Sequence, residues 1–382
     1  MNEQASGRGK SGGILFLGKR RYTGKDTWSE RFGRIYQLPA AWARAGEDVR
    51  LWLVDYHSRE KMHCREGSLA MRSTPIAGVS FWRMFVEQLR RRPGIVVASG
   101  DCYIGLIGWL LARLSGARFV FDIYDKYDAF AGYVRPLGFD LYGFLRRAAD
   151  LRFFASRALA AAHAGDGRDE RNRIVPNGVD PEQFCPLPRG ACRDRLGLAD
   201  DAILVGYFGG LEADRGVNDL VAAISCVRDS GRDVRLLVCG NAHPDTLLDR
   251  SWIDYRGAVP HKRMPYFINA CDVVAVPYRS SPFMDMGSSC KIAEYLMCGV
   301  PLVATATPNF TSNFPEQAGQ LGGRLARPGD SASMADAIMA QLAEPIVAVR
   351  PEGMSWSVIA DRALDAMKSA NPAHDDSEEA LE

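Results

Sequence analysis

The stretch DMGSSCKIAEYLMCGVPLVAT, from Asp285 to Thr305, organises the reading of this 382-residue chain. A turn of small residues, Gly287-Ser288-Ser289, leads into a segment whose apolar positions recur at helical spacing. Gly299 and Pro301 then end the helix, and Leu302 to Ala304 predicts a buried strand. A helix that opens on small residues leaves its first backbone N–H groups unpaired at the positive end of its dipole, so this turn is a natural seat for a phosphate. Glu294 lies further along the helix, where a carboxylate can reach a sugar hydroxyl attached to that phosphate. The plainer reading is an ordinary helix and strand of an α/β domain with a surface glutamate.

Outward from this stretch the chain alternates short apolar runs with amphipathic segments, the pattern of strands and crossover helices in parallel sheets. Strands are predicted at Ile14–Leu17, Val49–Val54, Ile95–Ala98, Phe119–Asp122 and Leu151–Phe154, with helices at Trp28–Arg44, Phe81–Arg91, Ile104–Leu114 and Leu137–Ala148. Periodicity stops from Ile174, in IVPNGVDPEQFCPLP, where Pro and Gly gather. A second alternation follows, with strands at Ile203–Phe208, Val234–Cys239, Asp254-Tyr255 and Val273–Val276, and helices at Val217–Arg228, Met264–Ala270 and Ala332–Leu342. The expected class is therefore α/β, with two Rossmann-like doubly wound parallel-sheet domains facing across a cleft, hinged near residue 177. The expected layout is a flexible leader over 1–12, a first domain over 13–177, a second over 178–355, a helix over 356–369 crossing back onto the first, and a disordered acidic tail over 370–382. In open α/β sheets ligands bind at the carboxyl ends of the strands, so two facing sheets predict a two-substrate enzyme with one substrate per domain.

Composition excludes several classes. Hydrophobic residues make up 47% and charged residues 24%, and no run of 18 apolar residues occurs, so nothing spans a membrane as a helix. The polar opening MNEQASGRGKSGG and nine cysteines without CxxC or disulfide-like spacing point to a cytoplasmic protein with reduced thiols. The GRGKSGG run is no phosphate loop, because the full pattern needs Gly where Gln4 stands and should follow a strand rather than precede one. The six histidines have no metal-ligand spacing, so no catalytic metal is expected. The net charge of +1 conceals an asymmetry: residues 1–170 carry 27 Lys+Arg against 18 Asp+Glu, and residues 171–382 carry 20 against 28. Arginine clusters in the first half, at Lys19-Arg20-Arg21, Arg90-Arg91-Arg92 and Arg146-Arg147, are either solvated faces or a surface for anionic lipid or an anionic acceptor. No nucleic-acid module accompanies them.

Five stretches in their order resemble the GT-B glycosyltransferases of the large retaining family GT4. They are FDIYDKYD at Phe121–Asp128, VPNGVD at Val175–Asp180, GYFGGLEADRGV at Gly206–Val217, YRGAVPHKRMPYFINACDVVAVPY at Tyr255–Tyr278, and the opening stretch. The resemblance implies a donor site in the second domain for a nucleotide-diphosphate sugar, with UDP- or GDP-sugar as substrate and no cofactor. The growing charge of the leaving diphosphate needs cations or oriented N–H groups. Arg215 matches the second member of the family's basic pair. Gly210, beside Gly209, stands where the first is usually Arg, and Lys291 is a compensating cation. Glu294 matches the later of two paired glutamates and is implied to hold the ribose. Met286 stands at the earlier one, with Asp285 next door as a substitute and the backbone of Met286 to Ser289 as the remaining guide for the sugar.

On the acceptor side, Tyr124 and Asp125 occupy matched His-Asp positions. Asp125 can orient or deprotonate the acceptor hydroxyl, or simply cap the next helix. Gly24 and Lys25 match a glycine-rich loop after the first strand, close to phosphate. The implied reaction is transfer with retention, to a carbohydrate or lipid-linked acceptor, in surface polysaccharide or glycolipid synthesis, with possible peripheral contact between the basic first domain and an anionic inner membrane face. Two alternatives stay open: a nucleotide-sugar 2-epimerase, and a non-catalytic sugar-nucleotide-binding partner of another transferase. An oxidoreductase is disfavoured, because GYFGG is not GxGxxG and no acidic residue ends the strand Val234–Cys239.

Overall fold

The computed structural model describes residues 12–22, 25–130, 132–163 and 169–369. Gly24, almost all of the expected leader and the expected acidic tail lie outside them. The chain divides into two compact units. The first comprises residues 1–155, 164–175 and 356–382, and the second residues 156–163 and 176–355.

The first unit is built on an eight-stranded sheet. Its strands are β1 (Ile14–Lys19), β2 (Val49–Asp55), β3 (Met62–Glu66), β4 (Leu69–Pro75), β5 (Ile95–Ser99), β6 (Arg118–Ile123), β7 (Leu151–Phe154) and β8 (Asn172–Ile174). Their spatial order is β8-β7-β6-β5-β1-β2-β4-β3, parallel except for the edge strand β3, which runs antiparallel to β4. The central strands are apolar runs covered on both faces, as parallel strands must be. The hairpin β3–β4 escapes the sequence reading, since its polar, alternating side chains mark a half-exposed edge rather than a buried core strand. The expected helix over Trp28–Arg44 is broken. A single turn at Thr27–Glu30 ends on Arg31 in a left-handed conformation, and α1 (Arg34–Arg44) starts after Gly33. The other helices of this unit are α2 (Val79–Arg91), α3 (Cys102–Ser115), α4 (Leu141–Ala148), whose expected start at Leu137 was too early, and the C-terminal helix Trp356–Ser369. That last helix packs on α1, where Trp42 Nε1 donates to the Ala360 carbonyl at 2.7 Å.

The second unit has a five-stranded, all-parallel sheet. Its strands are β9 (Ile203–Phe208), β10 (Val234–Cys239), β11 (Ile253–Tyr255), β12 (Val273–Val276) and β13 (Leu302–Ala304), in the order β11-β10-β9-β12-β13. Helices α5 (Arg189–Leu196), α6 (Val217–Asp229), α7 (Met264–Asn269), α8 (Pro282–Met286), α9 (Cys290–Cys298) and α10 (Ser331–Ala343) surround it. The short helix α8 absorbs Asp285 and Met286, so the turn expected from Asp285 onward begins only at Gly287. Strand order reverses between β1 and β5 in the first unit and between β9 and β12 in the second. These are the switch points where open parallel sheets leave a crevice at the carboxyl ends of their strands.

A fully buried ion pair pins the first unit's crevice. Arg34, at the start of α1, donates from Nε and Nη2 to both carboxylate oxygens of Asp122 at the end of β6, at 2.9 and 2.6 Å, and Ser99 Oγ donates to the same carboxylate at 2.6 Å. Burial pulls the Arg34 guanidinium down, and Asp122 more than offsets it, so the arginine stays charged. Removing one partner strands the other charge in the core. Arg34→Ala should therefore lower unfolding stability by about 3–5 kcal/mol, while Arg34→Met/Asp122→Leu should recover a large part of it, both read from urea unfolding.

Candidate functional site

In the second unit, cationic groups meet at the β9–β12 switch point. β9 delivers Tyr207 and then Gly209 and Gly210, while β12 is followed by Pro277 and Tyr278. Gly216, with φ 70°, lets the backbone entering α6 press on the Pro277 carbonyl, which a Cβ would approach to 1.7 Å. That contact holds Arg215 beside Tyr278, with its guanidinium carbon 5.7 Å from the ring centroid. From α9, Lys291 reaches back to the same place. Its Nζ donates to Tyr207 Oη at 2.9 Å, and that phenol donates to the Gly210 carbonyl at 2.7 Å. The ammonium lies 4.0 Å from the Tyr207 ring centroid and 5.4 Å from that of Tyr278. Gly209, with φ 141°, is where the backbone passes this ammonium, since a Cβ there would sit 2.5 Å from Nζ.

Burial and the neighbouring Arg215 hold the Lys291 ammonium well below the usual lysine range, against the opposing pull of Glu294 and Glu212. The Tyr207 phenol is pushed well above its usual range by burial and stays neutral. Arg215 makes a loose ion pair with Glu212 at 3.4 Å. Two cations thus share a partly desolvated pocket, an arrangement that an anion between them relieves.

The turn from the opening stretch borders this pocket and is tied down from several sides. Asn309 Nδ2 donates to the Met284 carbonyl at 2.7 Å, Asn313 Nδ2 to that of Gly287 at 3.1 Å, Asn177 Nδ2 to that of Ser288 at 2.7 Å, and Ser156 Oγ to that of Met286 at 2.6 Å. Ser289 Oγ is spent on Tyr278 Oη at 2.8 Å, and no side-chain hydrogen bond caps α9. With these carbonyls satisfied the turn offers few acceptors, and the Ser289 N–H is held by Asn309 Oδ1 at 3.4 Å, so the donors left to an anion are those further into the first turn of α9. Asp285 accepts from Ser280 Oγ at 2.5 Å through Oδ2, while its Oδ1 is buried with no partner among the described residues. Glu294, 8% exposed, is hydrogen-bonded through Oε1 to His261 Nε2 at 2.7 Å. Phe184 packs against the His261 ring at a centroid distance of 5.0 Å.

In the first unit the β1–β5 switch point gathers charge of both signs. Lys19, which ends β1, pairs with Asp101 at 3.4 Å, and Asp101 also accepts from Tyr56 Oη at 2.9 Å and caps α3. Tyr124 is buried and its hydroxyl donates to the Gly100 carbonyl at 2.8 Å. The half-buried Asp125 follows, and the next helical turn starts on Lys126 without a side-chain cap. Lys25 stays within its own segment, 3.8 Å from Glu30 and 4.0 Å from the Phe32 ring centroid.

Of the residues singled out in the sequence, Gly209, Gly210, Arg215 and Lys291 lie together at the β9 end, with Gly287, Ser288, Ser289, Asp285 and Glu294 on the neighbouring α8–α9 segment. Tyr124 and Asp125 belong to the crevice of the other unit. Sequence reasoning missed Tyr207, Tyr278 and His261. Tyr207 is the penultimate residue of one predicted strand and Tyr278 lies two residues past another, so the strand-end rule could have found them. His261 carried no local signal, because its partner is 33 residues away. Lys19 ends a strand and Asp101 lies two residues past one, so both could have been found in the same way. Among the described residues no three His, Cys, Asp or Glu side chains converge as a ligand set for a metal, and no helix is long and apolar enough to cross a membrane.

Comparison with known proteins identifies the family. Residues 34–178 match the glycosyl transferase 4-like domain, and residues 202–344 match glycosyl transferases group 1. A D-inositol 3-phosphate glycosyltransferase from Stackebrandtia nassauensis is 30% identical over 157 residues, which is 36% of this chain and 34% of the relative. The chain spans between 31% and 56% of the length of the curated relatives it matches. Among solved structures, a sucrose-phosphate synthase from Thermosynechococcus elongatus superposes with a TM-score of 0.70 at 19% identity, covering 93% of this chain and 98% of the other. The HepE protein of Anabaena, solved with UDP, superposes at 0.71 and 16% identity over 94% of this chain and 100% of its own. With family models matching in sequence order and these structures sharing the two-sheet architecture, the chain belongs to the group 1, GT4-type glycosyltransferases of GT-B fold.

Proposed function

We propose that the protein transfers a sugar, with retention, from a UDP- or GDP-sugar to a hydroxyl of a carbohydrate or lipid-linked acceptor in surface polysaccharide or glycolipid synthesis. The observation that carries this reading is the desolvated pair Lys291 and Arg215 beside the uncapped start of α9. Together they form a seat for a diphosphate whose charge grows as it leaves. A structure of the Anabaena neighbour with UDP-glucose, at a TM-score of 0.62 and 17% identity, supports a uridine donor.

In this reading Glu294, oriented by His261, accepts hydrogen bonds from the ribose. Asp285 and the backbone of Met286 to Ser289 face the transferred sugar. Asp125 orients the acceptor hydroxyl, and Tyr124 fixes the backbone that carries it. The bond from the anomeric carbon to the β-phosphate oxygen breaks, and the acceptor oxygen bonds to that carbon on the same face. The hydroxyl proton passes to the departing phosphate, so neither a protein nucleophile nor a cofactor is needed. Arg215 and Lys291 stabilise the leaving group in the absence of an arginine at Gly210.

Calorimetric titration with UDP tests the donor site. Arg215→Ala and Lys291→Met should each weaken binding by about 10- to 100-fold, as expected for a lost charge-assisted hydrogen bond. Unaltered affinity in both would overturn the assignment. A panel of UDP-, GDP- and ADP-sugars should raise the melting temperature only for the true nucleotide. In turnover, nuclear magnetic resonance of the product should show the donor's anomeric configuration. An inverted product, or tight donor binding without turnover, would count against retaining transfer.

The pH dependence has a defined sign. Because Lys291 titrates well below the ordinary lysine range in the free protein and a bound diphosphate favours its ammonium form, binding takes up a proton. Affinity for UDP should therefore fall as pH rises above the free-protein value, and Lys291→Met should flatten that slope.

A further inference from the structure

Strand β2, VRLWLVD, is apolar as an interior parallel strand requires, except at Arg50 and the terminal Asp55. Val49 and Leu51 are each 1% exposed, and Arg50 is partly buried between them. Strand register carries this arginine toward the sheet edge. Arg50 lies opposite Ala70 of β4, which lies opposite Arg65 of β3; two residues on, Trp52 lies opposite Arg72, which lies opposite His63. Side chains two residues apart share a face, so Arg50, Arg65, Arg72 and His63 stand on one side of the sheet. Helix α2 packs against β4, and with this face it encloses a cavity of about 260 Å³ to which it contributes Met84, Glu87, Gln88 and Arg91.

The cavity is cationic and is not balanced from within. Four arginines line it, at 50, 65, 72 and 91, against the one carboxylate of Glu87. Two of them share that carboxylate: Arg72 Nη1 donates to Oε2 at 2.5 Å and Arg91 Nε to Oε1 at 3.0 Å. The exposed Arg65 makes no ion pair among the described residues. Arg50 is the inner member. Its Nη1 donates to Oε1 of Gln88 at 3.0 Å, and Gln88, 3% exposed, is the one polar side chain among those that α2 buries. Arg50 Nε is buried with no hydrogen-bond partner among the described residues. Burial pulls the Arg50 guanidinium below the usual arginine range; Asp48 offsets this only in part, and Arg91 adds to it. An orphaned buried donor on an uncompensated cation is costly, and beside an open cavity it points to an anionic ligand. Leu15, Trp52 and Met84 give the same cavity an apolar wall.

We infer that this cavity binds a small phosphomonoester, with its phosphate on Arg50 and Arg65 and its organic body against Leu15, Trp52 and Met84. A phosphomonoester carries close to two negative charges at neutral pH, which suits four arginines facing one carboxylate better than the single charge of a carboxylic acid. Guanidinium forks also take phosphate oxygens in pairs. The volume lies at the small end of ligand sites, below what a nucleotide needs. Leu15 and Arg50 are the second residues of their strands, so the site is apart from the crevice at the carboxyl ends and does not rest on the proposed function.

Calorimetric titration of the full chain with phenyl phosphate reads this site. Phenyl phosphate should bind at least about tenfold tighter than inorganic phosphate, because its ring is buried as well. Arg215→Ala/Lys291→Met, which removes the cations of the second unit, should leave that affinity unchanged. Arg50→Met and the surface change Arg65→Glu should each weaken it by about 10- to 100-fold. Because Arg50 is uncompensated, Arg50→Met should keep or raise the ligand-free melting temperature, and phenyl phosphate should raise that of the parent chain but not of this variant. Absence of binding by the parent chain overturns the proposal, as does binding lost with Arg215 and Lys291 but kept in Arg65→Glu. Equal affinity for inorganic phosphate overturns it as well and leaves an adventitious ion only. A lowered melting temperature in Arg50→Met with unchanged binding in Arg65→Glu makes Arg50 a structural arginine and likewise overturns it.

Discussion

A lysine ammonium is costly to take out of water, and the second unit is arranged around one that has been partly taken out. Lys291 is held by a phenol that is itself committed to the Gly210 carbonyl and lies against two aromatic rings. Arg215 adds to the cost, because it is a second cation in the same pocket. The backbone must come very close for this to happen. Gly209 passes the ammonium, and Gly216 rests on the Pro277 carbonyl, each at a positive φ and in a space where a Cβ does not fit. The glycines, the tyrosines at the carboxyl ends of their strands and the two cations are therefore one device, whose unfavourable electrostatics an anion between the cations would relieve.

The first unit handles charge in the opposite way. Arg34 and Asp122 neutralise each other completely, with Ser99 satisfying a further lone pair, so the pair fixes geometry without leaving charge for a ligand. It ties the start of α1 to the end of β6, the strand that continues into Tyr124 and Asp125. The two crevices thus differ in kind: one is electrostatically incomplete, the other balanced and rigid around a half-buried carboxylate.

Tertiary context also sorts the arginines that composition alone treats as equal. Arg20 is buried between two carboxylates, whereas Arg83 and Arg90 are exposed. A count of charges over a domain cannot separate a structural cation from a surface one. That separation depends on which carboxylates the fold brings within reach.

By itself the sequence determined the alternation of strands and helices, because buried parallel strands must be apolar runs and their helices amphipathic. It also determined where Gly and Pro interrupt them, and hence two α/β units, with Arg215 at a helix start and Lys291 and Glu294 on the helix after the small-residue turn. The edge hairpin β3–β4 was illegible, since half-exposed strands carry no strong period. The break at Arg31 was illegible too, since a left-handed arginine has no local marker. Only the tertiary structure paired His261 with Glu294, Arg34 with Asp122 and Lys291 with Tyr207, across separations of 33, 88 and 84 residues. Such pairs are set by which strand ends the sheet order places side by side, and sheet order is a property of long-range packing that no local pattern encodes.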